Sequence, residues 1–422
     1  MTGMRGTVGE AVDVVVVGAG VAGLACSADL LAAGLTVRLL EAGDAVGGRM
    51  RTDRIAGFTL DRGFQVFNTA YPQVKRRLDL RALRLRPFTA GVLVRTADGT
   101  RRFTDPTRRR RGNGGPLLPV EGVSARDLAA LGALSARDML APASWLRGRG
   151  ADTTTATALA AAGLSYDLVE SFLRPFLSGV FLEDDLETSA RFFHLVWRSM
   201  LRGTLCLPAD GIGAVPAQLA ARLPDGVLRT GARVASLTPD GVALAEGGGL
   251  PARAVVVATG QSAAGELLPG LDVPRGRTVT TLYHAAPRSP LTEPTLLVDA
   301  RRRFLNTCVL TEVHPGFSGD GRALVSTSVL GTPGPAEVAD VEAALGEAYG
   351  ADVTTWEAVH SVTVRDALPA MPPPLVLSRT TRVGPGRYVC GDHRATGSLQ
   401  GALASGARAA REILADLGRG TG

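Results

Sequence analysis

The sequence predicts an α/β fold, a parallel-sheet domain interleaved with an α+β domain that holds a mixed sheet and helices, and three segments carry that prediction. Asp13-Val14-Val15-Val16-Val17 is a β-branched run, apolar on both faces like a central parallel strand, and Gly18-Ala19-Gly20-Val21-Ala22-Gly23 follows directly. Ala252 to Val257 is a second apolar run, ending in Ala258-Thr259-Gly260. Arg387 to Cys390 is a third, leading through Gly391-Asp392-His393 to a helix that opens after Gly397-Ser398.

The remaining elements follow in order. After Gly23, Leu24, Ala28, Leu31 and Leu35 recur at the spacing of a buried helical stripe, and Gly34 closes the helix. Thr36 to Leu40 is the next strand, with Glu41 at its end. Residues 73–204 read as mostly helical. Within them Ser124-Ala125-Arg126-Asp127 and Ser135-Ala136-Arg137-Asp138 each fit a helix-capping signal, so two short helices are expected. Tyr166 to Trp197 is rich in aromatics, namely Phe172, Phe176, Phe181, Phe192, Phe193 and Trp197, which suit helix packing or the wall of an apolar pocket. Val227 to Leu237 reads as two strands broken at Gly231. Thr278 to Tyr283, Leu305 to Leu310 and Ala323 to Val329 read as strands, followed by a helix from Pro335 to Tyr349.

Composition narrows the class. The chain has 422 residues, 45% hydrophobic and 20% charged, enough apolar side chain to bury a core and too much for a disordered chain. The net charge is +6, carried almost wholly by arginine, since Lys75 is the one lysine. Aromatics are only 5% and the arginines are spread along the chain, which argues against a nucleic-acid partner. The dense run Arg101-Arg102 and Arg108 to Arg111 reads as a solvated loop or as peripheral contact with an anionic membrane. Cys26, Cys206, Cys308 and Cys390 lie far apart and without histidines at ligand spacing, so neither a metal site nor a disulfide framework is expected. Met1 to Ala11 has no apolar run to cleave, and no stretch of about 18 apolar residues could span a membrane. A cytoplasmic location is expected.

The chemistry begins at the glycines. Gly18 makes a tight turn, Gly20 lets the backbone approach a pyrophosphate, and Gly23 lets helix and strand pack closely. The helix start offers unpaired N–H groups to phosphates. Glu41 is placed to accept hydrogen bonds from the hydroxyls of an adenosine ribose and to repel a 2′-phosphate. Gly47-Gly48-Arg49 then supplies a second close approach and a guanidinium for the pyrophosphate.

Glu41 with Gly47-Gly48-Arg49 resembles the superfamily of flavin amine oxidases, protoporphyrinogen oxidases and carotenoid (phytoene) desaturases. That resemblance implies a Rossmann-type FAD-binding domain. It places FAD against Gly18, Ala19, Gly20, Ala22 and Gly23, then Glu41 and Ala42, then Gly48 and Arg49. It adds Gln65 and Val66, the backbone of Val234 at the adenine, and Thr259 and Gly260 near the pyrophosphate. Gly391 and Asp392 would meet the ribityl chain, and Ser398 and Leu399 would start a helix aimed at the flavin N1/O2 edge. The FAD-binding segments would be 1–72, 205–262 and 365–422, and the substrate-domain segments 73–204 and 263–364.

Departures from the family choose among its branches. Leu399 stands where amine oxidases carry one wall of an aromatic cage, and Lys75 lies in an early charged helix, not at the flavin. Val362 to Pro369 holds no cysteine where covalent members tether FAD, so non-covalent FAD is expected. Asp61 to Pro72 resembles the Gly-x-x-x-Phe-x-x-Ala-Tyr-Pro segment of plant-type desaturases. The expected activity is hydride transfer from an apolar or partly apolar small molecule to flavin N5, with a quinone or oxygen as electron acceptor. An amine or amino-acid oxidase is the second reading, and a non-catalytic binding protein on the same scaffold the third. No catalytic acid or base is evident. His393 is the histidine expected to face the flavin.

Overall fold

A computed structural model describes residues 10–104, 123–142, 144 and 151–418. Two sheets dominate it. In the first, strand Val12–Val17 lies in parallel between Val37–Leu40 and the second half of Gly249–Val257, and Arg387–Val389 extends the sheet beyond Gly249–Val257, also in parallel. Val17 pairs with both Leu40 and Val257, and Val257 with Val389, so four strands end level with one another. The loops that follow, at Gly18, Glu41, Ala258 and Cys390, therefore open along one edge, where parallel sheets place ligands. Leu228–Arg229 adds an outer strand, and Val234–Thr238 and Gly241–Leu244 form an antiparallel flap on the first half of Gly249–Val257.

Burial explains why this sheet forms. Val14, Val15 and Val16 are fully buried because helices cover the Val14 and Val16 face and the antiparallel flap covers the Val15 face, and each contributes about 1.5–3 kcal/mol. The first helix, Val21–Ala32, is buried nearly all round through its first two turns, from Val21 to Ser27. The expected stripe holds only at its ends. Leu24 and Leu35 are buried, whereas Ala28 and Leu31 are partly exposed, because the last helix, Leu399–Asp416, covers a second side of the first. Gly406 permits that packing, since a Cβ there would sit 2.1 Å from the Ala22 carbonyl oxygen.

The second sheet runs Glu357–Pro369, Gly276–Ala286, Ala323–Leu330, Asn306–Val309, Leu296–Asp299, Gly91–Thr96, Gly99–Thr104. It is antiparallel except where Leu296–Asp299 meets Gly91–Thr96. Side chains alternate between its faces. Leu93, Leu282, Leu297 and Val329 pack on the helix Pro335–Tyr349, which starts and ends where the sequence places it. The opposite face, with Thr281, Ser328, Asn306 and Val298, looks toward the helices Arg174–Phe181 and Ala190–Arg202.

Two expectations need correction. The hairpin Gly91–Thr104 puts two strands in a stretch read as mostly helical, and it carries Arg101 and Arg102 in a strand rather than a loop, with Arg102 paired to Glu293. Arg108 to Arg111 lie outside the described residues. The two capped helices are one, Ala125–Leu140: Ser124 caps it, but Ser135 sits inside it and its hydroxyl accepts the Trp197 indole N–H at 3.1 Å. Among the described residues no helix is long and apolar enough to cross a membrane, and no cluster could hold a metal ion.

Candidate active site

A cavity of about 910 Å³ runs from the strand-end loops of the first sheet to the free face of the second. Every residue expected to contact the cofactor lines it except Ala19 and Gly23. Those two stand behind the wall. The Ala19 N–H donates to Glu41 Oε2 at 2.8 Å, and the Gly43 N–H donates to Oε1 at 2.8 Å, so backbone groups brace the Glu41 carboxylate from both sides. At Gly23 a Cβ would lie 2.0 Å from the Gly18 carbonyl oxygen, which is the close strand–helix contact the motif predicts.

The glycines differ in what they spare. Gly18 and Gly47 hold positive φ angles of 103° and 115° that L side chains rarely adopt. Gly20 and Gly260 face open space instead, with no atom within 4 Å of a Cβ. Both precede helices that lack a side-chain cap, so the first-turn N–H groups of Val21–Ala32 and Gln261–Leu267 point at the cavity without that partner. The last helix is different: the Ser398 hydroxyl accepts the Gly401 N–H at 3.1 Å and caps it. Gly391 is glycine for a local reason, because a Cβ there would meet the His393 ring at 2.5 Å.

Arg49 and Asp392 are brought together rather than left free. Arg49 Nη2 donates to Asp392 Oδ1 at 2.6 Å, and Nη1 donates to the carbonyls of Asp366 and Ala367 at 3.2 and 2.8 Å. The Arg49 side chain keeps 34% of its exposure and the Asp392 side chain 7%. This fork ties the Gly47-Gly48-Arg49 loop to the last loop of the first sheet and to the end of Glu357–Pro369 in the second. The Gln65 side-chain amide supports it by donating to the Arg49 carbonyl at 2.8 Å. Asp366 was not legible: it holds a φ of +52° and its carboxylate accepts from the Ser262 hydroxyl and Gln261. No local residue pattern announces that bend.

His393 does not line the cavity, contrary to expectation. Its ring is fully buried behind Gly391, neither nitrogen has a hydrogen-bond partner among the described residues, and burial pushes its pKa down to about 4, so the ring is neutral. Lys75, in the helix Pro72–Arg77, does not line the cavity either. Burial pushes the Cys206 and Cys390 thiols up to about 12, and all four cysteines are buried and free.

The far end of the cavity is a chamber. Phe176, Val180, Phe192, Val196 and Met200 come from the helices, and Leu296, Val298 and Val279 from the second sheet. The aromatic segment therefore divides: Phe176 and Phe192 face the chamber, while Phe172 stacks on Phe103 at 3.9 Å and Phe181, Phe193 and Trp197 pack inside. Tyr71 also lines the cavity, and burial raises its phenol to about 12, so it stays protonated. Asp61, which accepts from the Thr52 hydroxyl at 2.6 Å and the Ile212 N–H at 2.9 Å, is pushed by burial up to about 6.

The two-sheet fold with its cleft is the architecture of solved amine oxidases. A cyclohexylamine oxidase from Brevibacterium oxydans superposes with a TM-score of 0.71 at 18% identity, over 97% of this chain and 100% of that one. A putrescine oxidase solved with putrescine gives 0.66 at 19% identity, over 96% and 99%. In sequence, the putrescine oxidase of Kocuria rosea is 55% identical over 53 residues, 13% of this chain. Such matched stretches span 11% to 12% of the curated relatives' own length. The chain belongs to the family of flavin containing amine oxidoreductases, whose model matches residues 21–414.

Proposed function

We propose that the chain binds FAD non-covalently and dehydrogenates an apolar or partly apolar small molecule, passing the electrons to a quinone or to oxygen. One observation carries the reading: a chamber walled by uncharged side chains opens onto the same cavity as the glycine cradle. The residues present fit the cofactor. Gly20 and Gly260 leave space that a Cβ would fill, two uncapped helix starts face that space, and no cysteine lines the cavity to form a tether. FAD held there would supply a hydride acceptor at its N5.

The chain's own residues set the conditions. Segments 1–72, 205–262 and 365–422 supply the cofactor end, where Glu41 is braced to meet the ribose hydroxyls. Arg49 holds Asp392 in place, leaving Asp392 Oδ2 without a partner among the described residues for the ribityl chain. Phe176, Phe192 and Val298 exclude water from the chamber. No side chain is assigned as acid or base. A cytoplasmic location belongs to the same reading, and any membrane contact falls to the arginine run outside the described residues.

Amine oxidation is the second reading, supported by the family match and by the two oxidases above. The visible spectrum of the purified protein, recorded before and after denaturation, tests the main one. A flavin spectrum whose chromophore passes into the filtrate is expected. A colourless protein that takes up no FAD overturns it, and peroxide release with an amine panel selects the second reading.

A further inference from the structure

The free face of the second sheet carries one polar pair inside the apolar chamber. Asn306 and Ser328 are register partners on adjacent strands, and both line the cavity. Ser328 is 3% exposed, and neither side chain hydrogen-bonds a described residue. Their neighbour on the same face, Thr281, is satisfied: its hydroxyl accepts the Phe64 N–H at 3.1 Å. Opposite the pair, Gly179 leaves the amide uncovered, because a Cβ there would stand 3.0 Å from Asn306 Nδ2. The strands Gly276–Ala286, Leu296–Asp299, Asn306–Val309 and Ala323–Leu330 and the two facing helices bring no charged side chain to the cavity.

Asn306 is half-buried, and the polar atoms of the pair open to the cavity, where water or a ligand takes the place of a protein partner. We propose that Asn306 and Ser328 are the specificity-determining anchor of the chamber, binding an uncharged substrate through a carbonyl or hydroxyl oxygen. The inference rests on the chamber being the substrate site. An amide N–H₂ and a hydroxyl together donate to a carbonyl, and the amide oxygen can also accept from a hydroxyl. The charged side chains that line the cavity among the described residues, such as Arg62, Arg365 and Asp366, come from other segments. An ammonium or carboxylate seated at the pair therefore gains no opposite charge from these strands and helices and loses hydration. A hydrocarbon of equal size leaves the pair unsatisfied, and sites of this kind discriminate strongly against the analogue that lacks the polar group.

The test is calorimetric titration of the purified protein at pH 7 with four probes of one shape: acetophenone, ethylbenzene, benzoate and phenyltrimethylammonium. Acetophenone is expected to bind at least about tenfold more tightly than the others. Ser328→Ala and Asn306→Leu, with thermal melting unchanged, should bring acetophenone to within about threefold of ethylbenzene. Asn306→Asp keeps the shape and adds a carboxylate, and it should admit phenyltrimethylammonium. Equal affinity for acetophenone and ethylbenzene, or a preference that survives both substitutions, overturns the anchor. Flavin content is read separately from the visible spectrum. A flavin-free protein that still prefers acetophenone refutes the cofactor reading and upholds the anchor, whereas a flavin-loaded protein without the preference does the reverse.

Discussion

The two ends of the cavity are made from different materials. The cofactor end is made of backbone: loops at the ends of parallel strands, helix starts without caps, and glycines where a Cβ would collide or intrude. The chamber is made of side chains that two helices and four strands bring from widely separated stretches of the chain. Backbone geometry tolerates few residue types, so the first end is rigidly specified. Side-chain walls can be refilled without disturbing the fold, so the second end is where specificity can change.

Substitutions can break that contrast. Gly23→Ala should cost more than about 3 kcal/mol, since its methyl meets the Gly18 carbonyl oxygen at 2.0 Å, and a denaturant titration would register it. Gly20→Val, one turn away, should leave that titration unchanged and reduce bound flavin to a trace, because its side chain points into open cavity. Retained flavin in a stable Gly20→Val protein would refute the cradle. Phe192→Ala, 3% exposed, should cost about 3 kcal/mol with flavin content intact, which separates chamber from cradle.

The ends also titrate in opposite senses. Asp61, joined to the second sheet by the Tyr283 hydroxyl on its carbonyl, is raised from 3.8 to about 6. The folded protein holds that proton where the unfolded chain does not, so Asp61 costs stability as pH rises from about 4 to about 6. His393, behind the cofactor loops, is lowered from 6.5 to about 4, so it adds stability as pH rises over that window. Relative to the parent, Asp61→Asn should gain stability between pH 4 and 6, by roughly 2 kcal/mol. His393→Phe should lose it over the same range, also by roughly 2 kcal/mol. Chemical denaturation at stepped pH reads both slopes, and parallel curves for all three proteins would discard the assignment.

Legibility in the sequence follows the same division. Gly18, Gly20, Gly23 and Glu41 sit within one strand–helix–strand unit, and their spacing is dictated by the turn they make, so the motif is readable locally. Asn306, Ser328 and Gly179 meet only because three distant segments pack together, and nothing near any of them marks the meeting. Ser135 shows the limit of local signals: it has a capping pattern, yet the helix runs through it because its hydroxyl finds the Trp197 indole. Gly391 misleads in another way, since it is demanded by its neighbour His393 rather than by the cavity.

The packing of Gly406 on Ala22 bears on when the cleft comes into being. The strand Arg387–Val389, the Arg49–Asp392 pair and the helix Leu399–Asp416 are the last parts of the described chain to leave a ribosome, yet they cover the first helix and close the cofactor end. A nascent chain of 380 residues has every earlier glycine and still lacks the wall they face. The cleft is thus complete only once residues 387–416 have packed against the first strand–helix unit, late in synthesis of the described chain.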